Sequence, residues 1–204
     1  MIGLDRADGV WTVTLDRPDK ANALTEDMLR RLAEIAEEAQ EARAFVLTGT
    51  GPVFSAGADL EAARAGLARS PLWERLSGAI AALPCLSIAA LNGTAAGGCM
   101  GMVLACDLRV AVPSAKFFYP VMKLGFLPQP SDPARLVALV GPARAKMILV
   151  AGQKITADEA QAWGLVDRIA EPEALIDTAL SLASDARAAT PEHAAAVKAM
   201  IPAG

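Results

Sequence analysis

The sequence is short of aromatic side chains: they supply 4% of its 204 residues, against a hydrophobic fraction of 53%. A core without ring bulk must be built from Ala, Leu, Val and Ile, so its elements can approach closely. Charge of one sign is also lacking. The 19 basic and 23 acidic residues give a net charge of −4, without the clustered basic face that nucleic-acid binding needs. Cys85, Cys99 and Cys106 form no CxxC pair and share no metal-ligand spacing with the single histidine. They read as reduced thiols, which places the chain in the cytoplasm. The opening MIGLDRADGV carries acids early and no apolar stretch, so it is not expected to be a signal peptide.

The common catalytic signatures are missing too. There is no GxSxG elbow, and the one histidine, His193, stands in Thr-Pro-Glu-His at an expected helix start, where it reads as a solvated surface residue. Both facts argue against a Ser-His-Asp hydrolase. Gly49-Thr50-Gly51 lacks the third glycine of a dinucleotide fingerprint, and no GK[ST] follows any glycine run. Between Leu76 and Cys106 no charged residue occurs, which is long enough for a membrane span. Pro84, Asn92, Gly93, Gly97, Gly98 and Gly101 interrupt that run. A buried strand, a tight turn and a buried helix account for it, and no membrane association is expected.

What is present alternates strand and helix. Val10–Leu15 is β-rich, and Thr25 can cap a helix in which Leu24, Met28, Leu32, Ile35 and Ala39 recur at helical spacing. Residues 44–48 and 86–91 read as two partnered buried strands. A glycine-rich loop (49–59) and a helical stretch through Trp73 and Ile80 lie between them. Residues 97–106 read as a buried helix, 108–112 as a strand, 128–133 as a loop, and helices flank Gly141-Pro142. Thr156 to Glu159 is a capping box, 166–169 a strand, and the chain is helical from Pro172. This is an α/β layered fold, organised as a core domain over 1–188 and a short C-terminal helical segment over 189–204.

Two glycine-containing segments each follow a buried strand: Phe54-Ser55-Ala56-Gly57-Ala58-Asp59-Leu60, and Asn92 to Met100. Two readings fit them. They are tight turns in an alanine-rich core, or they present backbone N–H groups that converge on one oxygen as an oxyanion hole.

The chain resembles the crotonase (enoyl-CoA hydratase/isomerase) superfamily. Leu15-Asp16-Arg17-Pro18-Asp19-Lys20-Ala21-Asn22-Ala23-Leu24 is similar to that family's opening signature. Phe54 to Leu60 resembles its first oxyanion segment, and Asn92 to Gly98 with Ala105 to Arg109 resembles the second. Lys123-Leu124-Gly125, Arg135-Leu136, Val140-Gly141 and Ala157 to Arg168 continue the likeness. The resemblance implies a ClpP/crotonase-like ββα spiral that binds an acyl-CoA thioester. Coenzyme A then arrives as part of the substrate, with no separate cofactor or metal. It implies oxyanion donors at the N–H groups of Ala58 and Gly98, with Lys20, Ala21, Ala56, Asp59 and Leu60 bordering the CoA moiety.

Departures from the family pattern bear on the reaction. Hydratases of the family use two glutamates, and this sequence has Gly101 and Val121 at those positions. A third position, an aspartate in some relatives, is Gln129. Glu61, Tyr119, Lys123 and Asp132 are nearby substitutes, each with a plainer reading as a solvated charge or packing group until geometry is known. Weak hydration is therefore expected. Isomerisation, decarboxylation or acyl-CoA binding without turnover are the rivals. The likeness also implies a homo-oligomer, a trimer or hexamer, although the family's C-terminal helices continue beyond the length of this chain.

Overall fold

The computed structural model describes residues 1–201. The chain opens with a hairpin, β1 (Ile2–Ala7) and β2 (Val10–Leu15), paired antiparallel. Its two-residue turn is Asp8-Gly9, both at positive φ (50° and 77°), the conformation that matches strand twist and that Asp-Gly favours. Helix α1 (Glu26–Glu38) follows. The Thr25 side chain accepts the Met28 N–H at its start, and Met28, Leu29, Leu32, Ala33, Ile35 and Ala36 are buried. The five positions read as periodic from the sequence are all in the core.

The next three units share one plan. Strand β3 (Ala44–Gly49) is followed by β4 (Val53–Ser55) and then helices α2 (Leu60–Arg64) and α3 (Leu72–Ala81). Strand β5 (Leu86–Leu91) is followed by β6 (Thr94–Ala96), a 3-10 turn at Gly97–Cys99 and helix α4 (Met100–Ala105). Strand β7 (Leu108–Ala111) is followed by β8 (Lys116–Phe118), α5 (Val121–Leu124) and α6 (Asp132–Leu149). In each unit the first strand joins a six-stranded sheet and the second a four-stranded one. The sheet orders are β1-β2-β3-β5-β7-β10 and β4-β6-β8-β9, after β9 (Ile155–Thr156), α7 (Ala157–Trp163) and β10 (Arg168–Ile169) are added. Pairing between successive units is parallel, with Ala44 opposite Leu86 and Ile88 opposite Leu108. Parallel strands covered by helices read as near-continuous apolar runs, which is the pattern of β3 and β5. This is the expected ββα spiral.

Several boundaries differ from the sequence reading. The strand expected at 166–169 shortens to β10. Asp132 and Pro133 belong to the first turn of α6 rather than to the preceding loop, because proline needs no N–H partner there. Gly141 has φ 77° and ψ 165° inside α6, so the helices expected on either side of it run on across a kink. The capping box at Thr156 and Glu159 is formed.

Beyond α8 (Leu175–Leu182) and α9 (Ser184–Ala188), α10 (Pro191–Ala199) reaches back to the core. Lys198 Nζ donates to the Cys85 carbonyl (2.8 Å) and to Asp107 Oδ2 (2.6 Å). The same Asp107 oxygen accepts from the Ser87 N–H and hydroxyl. Val197 and Ile201 remain largely exposed, at 48% and 70%, and residues 202–204 of the expected C-terminal segment lie outside the described residues. The three cysteines are free and buried, and burial pushes Cys85 up to about 11 and Cys99 and Cys106 up to about 12. Among the described residues no helix is long and apolar enough to cross a membrane.

Candidate active site

The opening signature acts as a clamp. Ala21 and Asn22 both take positive φ (49° and 51°), which turns the Asn22 side chain inward. Its Nδ2 donates to the carbonyls of Thr50 (2.9 Å) and Val53 (2.8 Å), and its Oδ1 accepts the Arg17 N–H (2.8 Å). Asn22 is fully buried, so these bonds satisfy groups that would otherwise be costly to enclose. Arg17 donates to Asp59 Oδ2 at 2.8 Å and to the Ala23 carbonyl at 3.0 Å. Asp59 in turn caps α2 by accepting the Glu61 and Ala62 N–H groups. The Arg17 hydrogen bond, with help from those N–H groups, holds the Asp59 carboxyl below its usual range. The loop 56–59 is thus tied at both ends.

Backbone geometry then decides which N–H groups are free. Ala58 forms an isolated parallel bridge with Leu24. The bonds of that bridge are made by its neighbours: Leu24 N–H to the Gly57 carbonyl (2.7 Å) and Asp59 N–H to the Leu24 carbonyl (2.9 Å). The Ala58 N–H therefore faces away from Leu24. Gly98 stands in the first turn of the 3-10 segment, where N–H groups have no partner within a helix. Among the loop and cap hydrogen bonds of the described residues, neither N–H donates to any acceptor. Gly57 brings the two segments together. It sits at φ 88°, and a Cβ there would lie 2.7 Å from the Ala96 carbonyl oxygen and 3.2 Å from the Gly98 nitrogen.

Ala58 and Gly98 line one cavity of about 340 Å³. Of the other expected residues, Ala56, Leu60, Tyr119, Val121 and Gln129 also line it. Lys20, Ala21 and Asp59 do not: Lys20 is exposed on the signature loop, while Ala21 and Asp59 serve the clamp. Glu61 and Lys123 are exposed on short helices and take no part in the lining. The residues that sequence reasoning missed are chiefly Ala63, Arg64, Ala68, Trp73, Phe126 and Leu127. Trp73 is set by its indole N–H, which donates to the Leu67 carbonyl (2.8 Å). Its ring lies 3.1 Å from where a Cβ on Gly98 would be, so Gly98 is the residue that lets the ring close on the cavity.

Asp132 is buried at the N-terminus of α6, 1% exposed. Tyr119 Oη donates to its Oδ2 at 2.8 Å, and the Gln129 N–H approaches the same phenol at 3.5 Å. Asp132 Oδ1 has no hydrogen-bond partner. It lies 2.9 Å from where a Cβ on Gly101 would be. Burial pushes Asp132 up to about 6, the Tyr119 bond opposing that rise. Burial and the neighbouring carboxylate both raise Tyr119.

The cavity thus carries two N–H groups without an acceptor on a largely apolar lining. The enoyl-CoA hydratase/isomerase family profile matches residues 5–204. A probable enoyl-CoA hydratase of Mycobacterium leprae is 38% identical over 175 residues, covering 83% of this chain and 71% of the relative. The 1,2-epoxyphenylacetyl-CoA isomerase of Escherichia coli is 34% identical over 187 residues, covering 86% and 71%. The crystal structure of an enoyl-CoA hydratase/isomerase from Pseudoalteromonas atlantica superposes with a TM-score of 0.90 at 30% identity, over 98% of this chain and 81% of the other. The spiral, the paired loops and these likenesses together make the chain an enzyme of the enoyl-CoA hydratase/isomerase family, within the crotonase superfamily.

Proposed function

We propose that the cavity binds an acyl-CoA thioester with its carbonyl oxygen between the Ala58 and Gly98 N–H groups, and that the enzyme works through the thioester enolate. The observation that carries this is the two unpartnered N–H groups on one apolar cavity. Hydrogen bonds to that oxygen strengthen as charge develops on it, and one such donor is typically worth about 3–4 kcal/mol in the transition state. The buried Trp73 ring, packed against Gly98, limits water at that donor. Coenzyme A enters as part of the substrate, with Lys20 and Arg64 as the cations on exposed loop and helix near the cavity-forming segments.

Hydration is not the reaction best served. It needs one group to deliver water and another to manage the proton, and Gly101 and Val121 can do neither. Enolate chemistry that needs a single proton-transferring group, such as moving a double bond along the acyl chain, fits the residues better. The test is a panel of thioesters. Titration calorimetry should show saturable binding of butyryl-CoA, and crotonyl-CoA hydration should be slower than in a glutamate-bearing hydratase by about 10²-fold or more. A hydration rate in the ordinary range for such enzymes would refute this reading. Binding with no α-proton chemistry on any thioester would mark a binding subunit instead.

The same reading includes assembly. Met122, Leu124, Leu127, Met147 and Val150 are large apolar side chains left exposed, Leu127 at 88%. Burying them against other copies in a closed ring would give a homotrimer or hexamer. Sedimentation checks this: a single 21.1 kDa species at micromolar concentration would refute it.

A further inference from the structure

Three features attract notice outside the free N–H pair. The small cavity between Arg43 and Ala186 encloses about 30 Å³, room for about one water. The Lys198–Asp107–Ser87 cluster is fully used in docking α10. The third feature is the Tyr119–Asp132 pair, and it has properties that packing does not require. A buried carboxylate is costly, and Asp132 keeps one oxygen without any partner at 1% exposure. Its site is otherwise built with care: Tyr119 donates to the other oxygen, and α6 starts on it.

Gly101 and Asp132 lie 31 residues apart on α4 and α6, yet the carboxylate fills the space that a side chain at Gly101 would take. A residue of any size at 101 would collide with Oδ1 at 2.9 Å. So the space that a side chain at Gly101 would take already holds an acidic group, delivered from another helix. Between that group and the cavity stands Tyr119, which lines the cavity while Asp132 does not.

We propose that Tyr119 is the proton-transferring residue of this enzyme and that Asp132, bonded behind it, is the positioning residue that takes up and returns the proton. The inference rests on the thioester reading above. As the bond from substrate Cα to hydrogen breaks, that proton passes to Tyr119 Oη, and the phenol's own proton passes to Asp132 Oδ2. The electron pair left on Cα forms the enolate, whose charge sits on the oxygen held by Ala58 and Gly98. In the return step neutral Asp132 gives its proton back to Tyr119 Oη, and Tyr119 protonates a carbon of the enolate. Nothing is oxidised or reduced and no water is consumed. A phenol alone is too weak a base for this; the carboxylate behind it supplies the acceptor. Asp132 lies in the range useful near neutral pH, at about 6. The groups that bear on it are Tyr119, Glu74 of α3, Arg135 of α6 and the Gln129 N–H, with the Cys99 thiol close by.

The experiment is α-deuterium incorporation into butyryl-CoA and phenylacetyl-CoA in D₂O by the intact chain, with binding measured alongside. Wild-type exchange should rise with pH through about 6. Tyr119→Phe, which keeps the ring in place, should lower the rate about 10²-fold or more with the dissociation constant within a few-fold of wild type. Asp132→Asn should lower it comparably and flatten the pH profile. Should Asp132→Asn fail to fold, as melting would reveal, Tyr119→Phe decides alone. Exchange by Tyr119→Phe at the wild-type rate would overturn the proposal, as would an Asp132→Asn enzyme with the wild-type profile. Wild-type binding without exchange would overturn it too, and would leave the thioester site standing. Absence of binding would bring down both.

Discussion

Gly57→Ala probes the junction on which the site depends. The new Cβ would meet the Ala96 carbonyl oxygen at 2.7 Å and the Gly98 nitrogen at 3.2 Å, and the backbone is at φ 88°. Both contacts are backbone atoms, so no flexible side chain can swing away. A left-handed conformation costs a residue with a Cβ roughly 1–2 kcal/mol, and forced overpacking roughly 1–3 kcal/mol. The variant should therefore lose about 2–5 kcal/mol of stability. For a domain of this size each kcal/mol shifts Tm by about 2–4 °C, so the melting point should fall by about 4–20 °C. The damage is directional: relief of the clash moves 96–98 away from Ala58 and spoils the spacing of the two N–H groups. Losing one oxyanion donor costs about 10²–10³-fold in rate, so α-proton exchange should fall by at least that much even in the fraction that stays folded. Thermal melting and the exchange assay on the same preparation read both effects. A variant with unchanged Tm and unchanged exchange would refute the claim that Gly57 sets the distance between the loops.

Three other outcomes follow from the buried carboxylate and the clamp. Gly101→Ala should destabilise by about 1–3 kcal/mol through its contact with Asp132 Oδ1. Much less should be lost in an Asp132→Ala background, so a double-mutant cycle by urea unfolding should show coupling well above 0.5 kcal/mol; additivity would place the two residues apart. Asp132 rises from 3.8 unfolded to about 6 folded, so its contribution is fully present below pH 4 and is lost as pH rises through about 6. At about 1.4 kcal/mol per pH unit, wild type should lose about 2–2.5 kcal/mol relative to Asp132→Asn between pH 4 and 7.5, and parallel pH–stability curves would contradict this. Arg17→Ala frees Asp59 and loosens the 56–59 loop, so it should weaken acyl-CoA binding several-fold while leaving the core melting transition cooperative; calorimetry with unchanged affinity would show the clamp to be dispensable.

The larger sheet was legible because its strands are long apolar runs: residues 44–48 and 86–91 pair as read. Thr25 and the Thr156–Glu159 box announced their helices by side-chain chemistry alone. The smaller sheet was not legible, since strands such as β4, β6 and β8 have three residues each, too few to show a period. The hairpin strand β1 went unread because its IGLDRA alternation is broken by charge; the Asp8-Gly9 pair was the available signal. At the site, the resemblance pointed to Ala58 and Gly98, and the fold brings both to one cavity. Trp73 and Leu127 reach it only through tertiary packing. The contact between Gly101 and Asp132 has no sequence signature at all, because space left by one helix is filled from another.

Ala58 and Gly98 are proposed to hold a thioester oxygen. A crystal structure of the enzyme with butyryl-CoA bound tests it most directly. The thioester oxygen is expected within about 2.7–3.1 Å of both backbone nitrogens, with the Cα carbon facing the Tyr119 hydroxyl. A bound thioester whose carbonyl oxygen points into solvent, or is held by other donors, would contradict it.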